Sequence, residues 1–580
     1  MKNYVLLLLL CVLSKFAHPQ LVYNNVFSLG NTGTDQGFSI VADASGNYYT
    51  TGSVTYWINA NPLGTPFYTT NNGGTDIYVG KYNSAGIMMW GIDIGGTGNE
   101  AALKMAVDAN NNIYITGRFE SSVDFDPGSG TAIRTSSGNF DIFLAKYDQN
   151  GNFQWVNTFG GTLSDQSWDV TVDPFTSNVL ITGGYQSTGM DMDPGNGTQV
   201  ITNNGNTIIN TANCFVAAYN ASNGAYQWAF NIGGYGGATG SRVTADASGN
   251  IYVGGTVSGD STDFDPGVGA SWIYNITNQS KVFLAKYNGS NTLLWVNAFG
   301  GNYGQTANSL AVDNNGGVYQ GGYFNSDSMD IDPGTGIYYI HNYPNGVQDI
   351  YVAKFNSNNG TLNWALAVGG SYSEVAQDLV LDNAGHFFIT GNYGNTVDFD
   401  PGPATHNLSS ADGSEGYLAE YDTAGNYISA IPFNGAGGFE FGIGVCMVPP
   451  DKVGVTGFFS SDTVDFDPGA GVHNLYVNGG STIFSDIFVA TYTYGITGIN
   501  EAINGDQHFN MYQTNGGNIQ VDGKFSDATI TVYDLTGRKM FAQDHIKPQS
   551  VLNANRLFAG IYIAQLITDG ISSSQKFFIH

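Results

Sequence analysis

Twelve aspartates recur in pairs along this chain, and they are the residues best suited to bind a cation. Each pair lies in a D-x-D-P-G string, and the six strings are Asp124–Gly128, Asp191–Gly195, Asp263–Gly267, Asp330–Gly334, Asp398–Gly402 and Asp465–Gly469. Residues i and i+2 of an extended segment point to the same side, so the two carboxylates of a string should project together. The candidate calcium ligands are therefore Asp124, Asp126, Asp191, Asp193, Asp263, Asp265, Asp330, Asp332, Asp398, Asp400, Asp465 and Asp467.

Two interpretations of these strings remain open. Calcium prefers clustered carboxylate and carbonyl oxygens, but it needs roughly 6–8 of them, and each string supplies two carboxylates. A structural turn explains the same residues, because Asp accepts backbone N–H bonds, Pro fixes φ and Gly permits positive φ. The sequence favours the turn, with weak calcium binding as the alternative, and it predicts no other cofactor.

Catalytic motifs do not accompany the aspartates. The chain has no G-x-S-x-G, H-E-x-x-H, C-x-x-C or phosphate-binding glycine-lysine motif. Paired carboxylates can cleave glycosides, but a pair repeated six times indicates architecture rather than one active site. His406 and His473 each follow the first Asp of a string by eight residues, which favours a structural role. His341 and His386 have no repeat equivalents and are expected to be solvated.

Aromatic residues fall into two groups. Tyr147, Tyr219 and Tyr287 recur with the repeat and are expected to pack in the core. Tyr56, Trp57 and Trp272 lie outside the repeat pattern; if exposed, they could stack on sugars or contact a protein.

The strings define an internal repeat, which determines the fold. Asp124 to Asp191 spans 67 residues and Asp191 to Asp263 spans 72, and a degenerate seventh copy, Asn59–Pro62, precedes Asp124. Each repeat also contains three strand-like segments, of which 40–43, 112–117 and 141–147 are examples. A fourth segment surrounds a tryptophan, and the residues in this position are Trp90, Trp155, Trp228, Trp295, Trp364 and, in the sixth repeat, Ile428.

Four strands per repeat and seven repeats predict an all-β chain, a seven-bladed β-propeller followed by a small β-sandwich. The last repeat lacks a tryptophan-type strand after Asp486–Tyr492, whereas the N-terminus has a surplus strand, Val22–Gly30. Pairing of these two segments would complete the last blade and close the ring, which removes an exposed edge.

The D-x-D-P-G loops, the Asp141–Tyr147-type strands and the Asn-Ile-Tyr-Ile-Thr-Gly strands resemble the SBBP-type β-propeller repeat family over residues 31–495. This resemblance implies the propeller fold and an exported, often surface-associated bacterial protein. It implies no particular activity.

The N-terminus has the pattern of a signal peptide, predicted over residues 1–20. Lys2 precedes an apolar run, Val5–Leu13, and Ala17 is a small residue near a plausible cleavage site. The run is too short to span a membrane, and we predict no transmembrane span. Residues 21–496 would then form the propeller, in which Cys214 and Cys446 occupy unrelated repeat positions and are expected to be buried packing residues.

The C-terminal residues lose the repeat. We predict a linker at 497–507 and a separate domain at 508–580, with strands near 528–539, 557–563 and 575–579. In this order the strands resemble the type A sorting domain of the type nine secretion system, although Asn510–Gln513 stands where the family usually has Pro-Asn-Pro. The resemblance implies a Bacteroidetes-type export route, with the secretion machinery as partner of residues 508–580. It also implies removal of the tail, and a protein that is secreted or held at the cell surface.

The predicted function is binding or adhesion, with a glycan or protein ligand on the propeller. A formal charge of −29 repels phosphate backbones, so we expect no nucleic-acid partner. The alternative is a polysaccharide-active enzyme, a glycoside hydrolase or lyase. Asp, Glu, His or Arg residues that do not repeat and that converge at the mouth of the central funnel would favour the enzyme.

Overall fold

The computed structural model describes residues 21–494 and 509–579, apart from short internal gaps. These gaps are 204–210, 275–278, 344–346, 383, 470, 479–483, 514–517, 524, 535–538, 554–556, 558–559 and 569–570. The chain divides into two compact units, one comprising Pro19–Gly495 and the other including Ile496–His580. The predicted signal peptide at 1–20 and the linker at 497–507 lie outside the described residues.

The first unit is a β-propeller, as the sequence predicts. Its described residues form seven antiparallel sheets with four blade strands each, and in three of them the short hairpin of the following blade adds two more strands. We number these sheets as blades 1 to 7 in chain order. The first strand of each blade lines a central channel, and the fourth strand is at the opposite end of the four blade strands.

The strands of the blades have these bounds. First strands are Gln36–Ala42, Ala101–Val107, Asp165–Val172, Gly237–Ala245, Gln305–Val312, Val375–Leu381 and Glu440–Val448. Second strands are Tyr48–Val54, Ile113–Phe119, Asn178–Tyr185, Ile251–Ser258, Gly317–Phe324, His386–Asp398 and Lys452–Phe459. Third strands are Asp76–Tyr82, Asp141–Tyr147, Asn213–Asn220, Lys281–Tyr287, Asp349–Asn356, Asn407–Asp422 and Asp486–Thr493. Fourth strands are Met88–Ile94, Phe153–Phe159, Tyr226–Gly234, Leu293–Gly301, Leu362–Val368, Tyr427–Ala436 and, in blade 7, Val22–Leu29.

The N-terminal strand closes the ring. Val22–Leu29 pairs antiparallel with Asp486–Thr493, in a register that runs from Val22 opposite Thr493 to Leu29 opposite Ile487. The strand predicted to be surplus therefore completes the blade predicted to be one strand short. Both ends of the propeller are held by the same sheet, which leaves no open edge there.

Polar turn residues fix the connection between first and second strands. In blade 1, Asp43 Oδ1 accepts hydrogen bonds from the backbone N–H groups of Ser45 and Asn47, each at 3.0 Å. Gly46 lies between them with a φ of +77°, a conformation that favours glycine. The same Asx-type turn recurs in blade 2, where Asp108 takes the place of Asp43.

Tryptophans on the outer strands join neighbouring blades. The indole N–H of Trp90 donates to the carbonyl of Gln149 at 2.9 Å, and Trp364 donates to Thr423 at 3.1 Å, each partner lying on the following blade.

The prediction of Ile428 in the sixth tryptophan position is wrong by one residue. Ser429 stands opposite Glu420, as Trp364 stands opposite Lys354, because the strand register continues unchanged into blade 6.

Each D-x-D-P-G string lies in a short hairpin between the second and third strands. The separate hairpins are Ser122–Asp124 with Ile133–Thr135, Gly189–Asp191 with Val200–Thr202, Ser261–Asp263 with Trp272–Tyr274, Ser328–Asp330 with Tyr339–His341, and Thr463–Asp465 with Asn474–Leu475. In blade 6 the hairpin is continuous with the long second and third strands.

The C-terminal unit has two sheets that share one core, as a small sandwich requires. One sheet contains Phe509–Gln513, Ile519–Gly523 and Ser550–Leu552. The other contains Lys539–Ile546, Ala528–Asp534, Gly560–Thr568 and Ile571–Ile579. Val521 of the first sheet packs in a cluster with Val532 and Leu566 of the second. Among the described residues of the chain, no helix is long and apolar enough to cross a membrane.

Candidate functional site

Every first strand carries a β-bulge at the same place. The register of each first strand shifts by one residue against the second strand, which leaves one residue without a partner. From blade 1 to blade 7 these bulge residues are Phe38, Leu103, Trp168, Ser241, Asn308, Gln377 and Ile443. A bulge turns a side chain away from the regular alternation, and in this propeller it directs that side chain into the channel.

A small residue precedes each bulge and allows the blades to approach one another. These residues are Gly37, Ala102, Ser167, Gly240, Ala307, Ala376 and Gly442. A Cβ atom at Gly240 would collide with Thr182 of the preceding blade, and one at Gly442 would collide with Thr390. Close packing behind the bulge therefore constrains the small residue, while the bulge residue faces open space.

The seven bulge residues line a cavity of ≈ 380 Å³ in the central channel. Its wall has two halves. Blades 7, 1, 2 and 3 contribute apolar side chains, namely Ile443, Phe38, Leu103 and Trp168, whereas blades 4, 5 and 6 contribute the polar side chains of Ser241, Asn308 and Gln377. The volume is within the range of small-molecule sites, about 300–1,000 Å³.

Four charged residues directly follow a bulge residue, and two of them, Lys104 and Arg242, line the cavity. We call this group of four residues the base of the cavity. Lys104 of blade 2 forms an ion pair of 2.7 Å with Asp378 of blade 6, across the channel. Arg242 of blade 4 donates from Nη2 to the backbone carbonyl of Gln377 at 3.2 Å. The fourth residue, Asp169, accepts the backbone N–H of Val243 at 2.8 Å.

The cations face the cavity and the acids lie behind them. Lys104 and Arg242 belong to the described lining, which contains no Asp, Glu or His. Asp169 and Asp378 are only 5% and 6% exposed. Burial raises the pKa of Asp169, against the opposing effects of Arg242 and Lys104. Charged residues that do not repeat therefore converge in the channel, but none of the cavity's described lining residues is an acid that could act in glycoside hydrolysis.

The D-x-D-P-G aspartates hold the backbone of their own loops. Asp398 Oδ1 accepts the N–H groups of Asp400 at 3.1 Å and His406 at 2.8 Å, and Asp400 Oδ1 accepts that of Gly402 at 2.7 Å. The first Asp accepts its two bonds in the same way at the five other strings. The second Asp likewise accepts the glycine N–H in every copy.

The apolar residue within each string anchors the loop to the core. Phe125, Met192, Phe264, Ile331, Phe399 and Phe466 are all fully buried. In blade 2 the carbonyl of Phe125 accepts a hydrogen bond from the Tyr147 hydroxyl at 2.8 Å. The same bond recurs at four other strings, whereas blade 5 has Phe355 in place of the tyrosine. The sequence predicts only a packing role for Tyr147, Tyr219 and Tyr287, and it does not indicate the hydrogen bond from the hydroxyl to the loop carbonyl.

The hairpins also pair with the preceding blade. Gly233 at the end of the outer strand of blade 3 pairs with Asp263, and Gly300 of blade 4 pairs with Asp330. No group of three or more His, Cys, Asp or Glu side chains is placed to hold a metal ion in the described part of the chain. The hydrogen bonds support the structural turn, and weak calcium binding by the remaining carboxylate oxygens stays a prediction.

The repeated histidines pack on aromatic rings. His406 stacks on Tyr427 with ring centroids 4.5 Å apart, and His473 stacks on Tyr23 at 4.1 Å. Because their backbone N–H groups also bind the first Asp of each string, both contribute to the loop structure.

The prediction that His386 is solvated is wrong. Its Nδ1 lies 3.1 Å from Asp382 and 3.4 Å from Glu420, and only 27% of its side chain is exposed. The contact with the Asp382 carboxylate raises the pKa of His386, and burial raises that of Glu420. Glu420 takes the place that Lys354 has in blade 5, so an acid–histidine contact replaces a lysine–aspartate pair.

The remaining candidates do not join the channel site. Tyr56, Trp57 and Trp272 are exposed, as expected, and lie on blades 1 and 4, outside the lining of the cavity. Cys214 and Cys446 are buried and free, in agreement with a packing role.

Pairs of buried carboxyls lie at five blade junctions, a feature that the sequence analysis missed. One member of each pair is the first residue of a third strand or, in blade 6, Glu415 within the long third strand. The other member is the first residue of the next first strand or the residue just before it. The pairs are Asp76 with Glu100, Asp141 with Asp165, Asp349 with Glu374, Glu415 with Glu440, and Asp486 with Asp35. Burial raises the pKa of both members of the Asp349–Glu374 pair to about 7.

Comparison with known proteins supports the assignment of the tail. Residues 514–580 match the family described as a secretion system C-terminal sorting domain. The predicted sorting domain is therefore confirmed, and such a tail implies export by the type nine secretion route. The molecule is thus an exported β-propeller with a C-terminal sorting domain.

Two curated relatives resemble parts of the chain. The WD repeat-containing protein L264 of Acanthamoeba polyphaga mimivirus is 25% identical over 523 aligned residues, which cover 77% of this chain and 37% of that protein. The regulatory protein FlaEY of Caulobacter vibrioides is 29% identical over 128 residues, 22% of this chain and 12% of that protein. The matches therefore span little more than a third of the first relative and about an eighth of the second.

Solved structures of similar architecture include enzymes and a secretion component. The quinohemoprotein alcohol dehydrogenase of Comamonas testosteroni is 12% identical, with 86% of this chain and 79% of that chain covered and a TM-score of 0.36. PorZ, a bacterial surface component of the type-IX secretion system of Porphyromonas gingivalis, is 12% identical, with coverages of 95% and 75% and a TM-score of 0.24. Scores of this size carry no information about function.

Proposed function

We propose that this chain is an exported binding protein that presents a ligand site in the central channel of its propeller. The propeller is of the SBBP repeat type, has seven blades and spans residues 21–496. The observation that carries the proposal is the ring of bulge residues around the cavity.

The chemistry of this ring differs from that of the structural positions. Positions that stabilise the fold have the same type of residue in nearly every repeat, as the D-x-D-P-G aspartates do. The bulge position instead carries Phe38, Trp168 and Ile443 on one side, and Asn308 and Gln377 on the other. A wall with one apolar half and one polar half orients a small ligand, because each face of the ligand meets matching groups.

Binding explains the site better than catalysis does. Acid–base chemistry requires a titratable group within hydrogen-bonding reach of the substrate. Asp169 and Asp378 are nearly fully buried and already accept backbone N–H groups. The ligand that we propose is a glycan, because aromatic faces and side-chain amides together match the two kinds of surface of a sugar ring.

A glycan array with the mature protein tests the site. Ser241→Trp places a large ring in the cavity, and Ser45→Trp is the matched control because Ser45 lies exposed in a turn. We expect wild-type binding that Ser241→Trp abolishes and Ser45→Trp retains. Binding that Ser241→Trp does not weaken would exclude the channel. Cleavage of a bound glycan, detected by product analysis, would favour the polysaccharide-active enzyme instead.

The two ends of the chain would serve export. In this proposal, residues 1–20 act as a signal peptide, and after the linker at 497–507 residues 508–580 engage the secretion machinery of a Bacteroidetes-type cell envelope. The tail is then removed, and the propeller is released or held at the outer surface. Deletion of 508–580 in the native host should trap the propeller in the periplasm, and normal surface display of the truncated protein would refute this route.

A further inference from the structure

The base of the channel cavity contains a cation whose hydrogen bonds are incomplete. Arg242 donates from Nη1 to the carbonyl of Ser241 at 2.8 Å and from Nη2 to that of Gln377 at 3.2 Å. Its Nε–H is buried and has no acceptor among the described residues. Nη1 and Nη2 each carry a second N–H group, and because Arg242 lines the cavity, a ligand can accept hydrogen bonds from these two groups.

The charge of Arg242 is also less well balanced than that of its neighbour. Lys104 has a direct ion pair with Asp378 at 2.7 Å. Asp169 is the acid that interacts with Arg242, but its Oδ2 accepts the N–H of Val243. Lys104 and Arg242 line the cavity whereas Asp169 and Asp378 are not among its described lining residues, so the wall that a ligand meets here is positively charged and favours an anion beside Arg242.

We infer that the channel ligand is a sugar that carries a carboxylate, which Arg242 binds through Nη1 and Nη2. This inference rests on the proposed glycan-binding function. A guanidinium presents N–H groups in a fork that matches the two oxygens of a carboxylate. Phosphate and sulfate would also accept these bonds, so sugars that carry those groups are alternatives that the experiment must separate.

The walls distinguish an acidic sugar from a simple organic acid. Phe38, Leu103 and Trp168 offer an apolar surface to the C–H face of a ring, while Asn308 and Gln377 can donate to and accept from its hydroxyls. An aliphatic or aromatic acid would satisfy Arg242 and the apolar half. It would leave the amides of the polar half without partners, at an energetic cost.

Isothermal titration calorimetry of the mature protein tests this inference. The probes are D-glucuronate, D-galacturonate and N-acetylneuraminate, each compared with a neutral sugar, namely D-glucose, D-galactose and N-acetyl-D-glucosamine. Glucose 6-phosphate, glucose 6-sulfate and benzoate serve as the alternative anions. We expect at least one carboxylate sugar to bind at least about tenfold more tightly than its neutral counterpart and than the three alternative anions.

Variants then assign the contact. Arg242→Gln should weaken binding of the acidic sugar at least about tenfold and leave little preference over the neutral one. Arg242→Lys keeps the charge but lacks the fork, so it should recover only part of the affinity. Arg134→Gln is the matched control, because Arg134 belongs to the blade 2 hairpin and donates to the carbonyl of Val156. Denaturation curves show whether each variant is folded.

The outcomes separate this inference from the proposed function. Equal binding of acidic and neutral sugars, with loss in Ser241→Trp, would overturn the carboxylate and leave the channel site intact. Tighter binding of the phosphate, the sulfate or benzoate would overturn the acidic sugar as ligand. Absence of binding by every carboxylate sugar would also overturn it, and the glycan array would then decide the proposed function independently.

Discussion

Replacing Asp349 by Asn is expected to reduce the dependence of the propeller's stability on pH by the contribution of one buried carboxyl. Asp349 begins the third strand of blade 5, is 2% exposed and accepts the backbone N–H of Tyr343 at 2.6 Å. Its second carboxylate oxygen has no partner among the described residues, and the carboxyl of Glu374 lies at the same junction. Burial raises the pKa of Asp349 to about 7, whereas an Asp in the unfolded chain has a pKa of about 3.9.

The direction of the effect follows from the order in which the two states ionise. Below about pH 4 both states are protonated, and the full stability is present. As the pH rises, the unfolded state loses its proton first, so the free energy of unfolding falls until the pH passes the folded pKa of about 7. A tenfold change in a protonation equilibrium corresponds to ~1.4 kcal/mol. Between pH 5 and pH 8 this single group therefore costs about 3 kcal/mol.

Chemical denaturation of wild type and Asp349→Asn at pH 5 and pH 8 measures this cost. Asn can still accept the Tyr343 N–H, and it does not ionise. We expect the variant to lose about 3 kcal/mol less stability than wild type over this interval. The chain supplies a precedent, since Asn213 occupies the same position in blade 3 and is fully buried. Asn213→Asp, the reverse change, should lower stability at pH 8 more than at pH 5.

Two results would refute this reasoning. One is a wild-type free energy of unfolding that does not fall between pH 5 and pH 8. The other is an unchanged pH dependence in Asp349→Asn. Measurements below about pH 4 are less informative, because Asp43 and Asp313 have lowered pKa values, and the stability that they contribute is lost as their carboxylates become protonated.

Three further predictions concern the loops and the ring closure. Tyr147→Phe should lower the free energy of unfolding in urea by about 1–3 kcal/mol, because a buried carbonyl loses its hydrogen-bond donor. Phe355→Tyr should not destabilise blade 5 if the new hydroxyl reaches the equivalent carbonyl. Asp398→Ala should cost about 2 kcal/mol in chelator. A wild-type melting temperature that rises in ~10 mM calcium, with a smaller rise in this variant because five strings remain, would show that the loops also bind calcium. Deletion of Val22–Leu29 should expose the edge of Asp486–Thr493 and cause self-association, measurable by light scattering; a stable monomer would contradict it.

The architecture could be predicted from the sequence because it rests on repeated local signals. Period-two alternation, turn residues and a fixed spacing identify the strands of each blade. The pairing of Val22–Leu29 with Asp486–Thr493 follows from counting strands and needs no knowledge of long-range contacts. The predicted tryptophan position of blade 6 is wrong by one residue. Ser429 has the strand partner expected for this position, but its side chain is not an indole, so the sequence does not mark it.

The channel site could not be predicted in the same way. A β-bulge interrupts the alternation on which strand prediction depends, so the direction of Trp168 or Ser241 does not follow from their place in the sequence. A weak signal is nevertheless present, because each bulge residue follows a Gly, Ala or Ser and changes its chemistry from repeat to repeat. The contacts of His386 could not be predicted either. Asp382 is four residues away in the sequence, but Glu420 lies on the adjacent strand, and the sequence alone does not place it beside the histidine.

The bulge position explains how a uniform fold can hold a specific site. Core positions such as Phe125 are constrained by packing, and the D-x-D-P-G aspartates are constrained by the backbone N–H groups that they accept. A bulge residue has neither constraint, because it lacks a strand partner and its side chain faces the channel rather than the next blade. Its chemistry can therefore change without loss of the fold, and seven such residues surround one cavity. A repeat protein can thus acquire an asymmetric binding site while every other element of the blade remains the same.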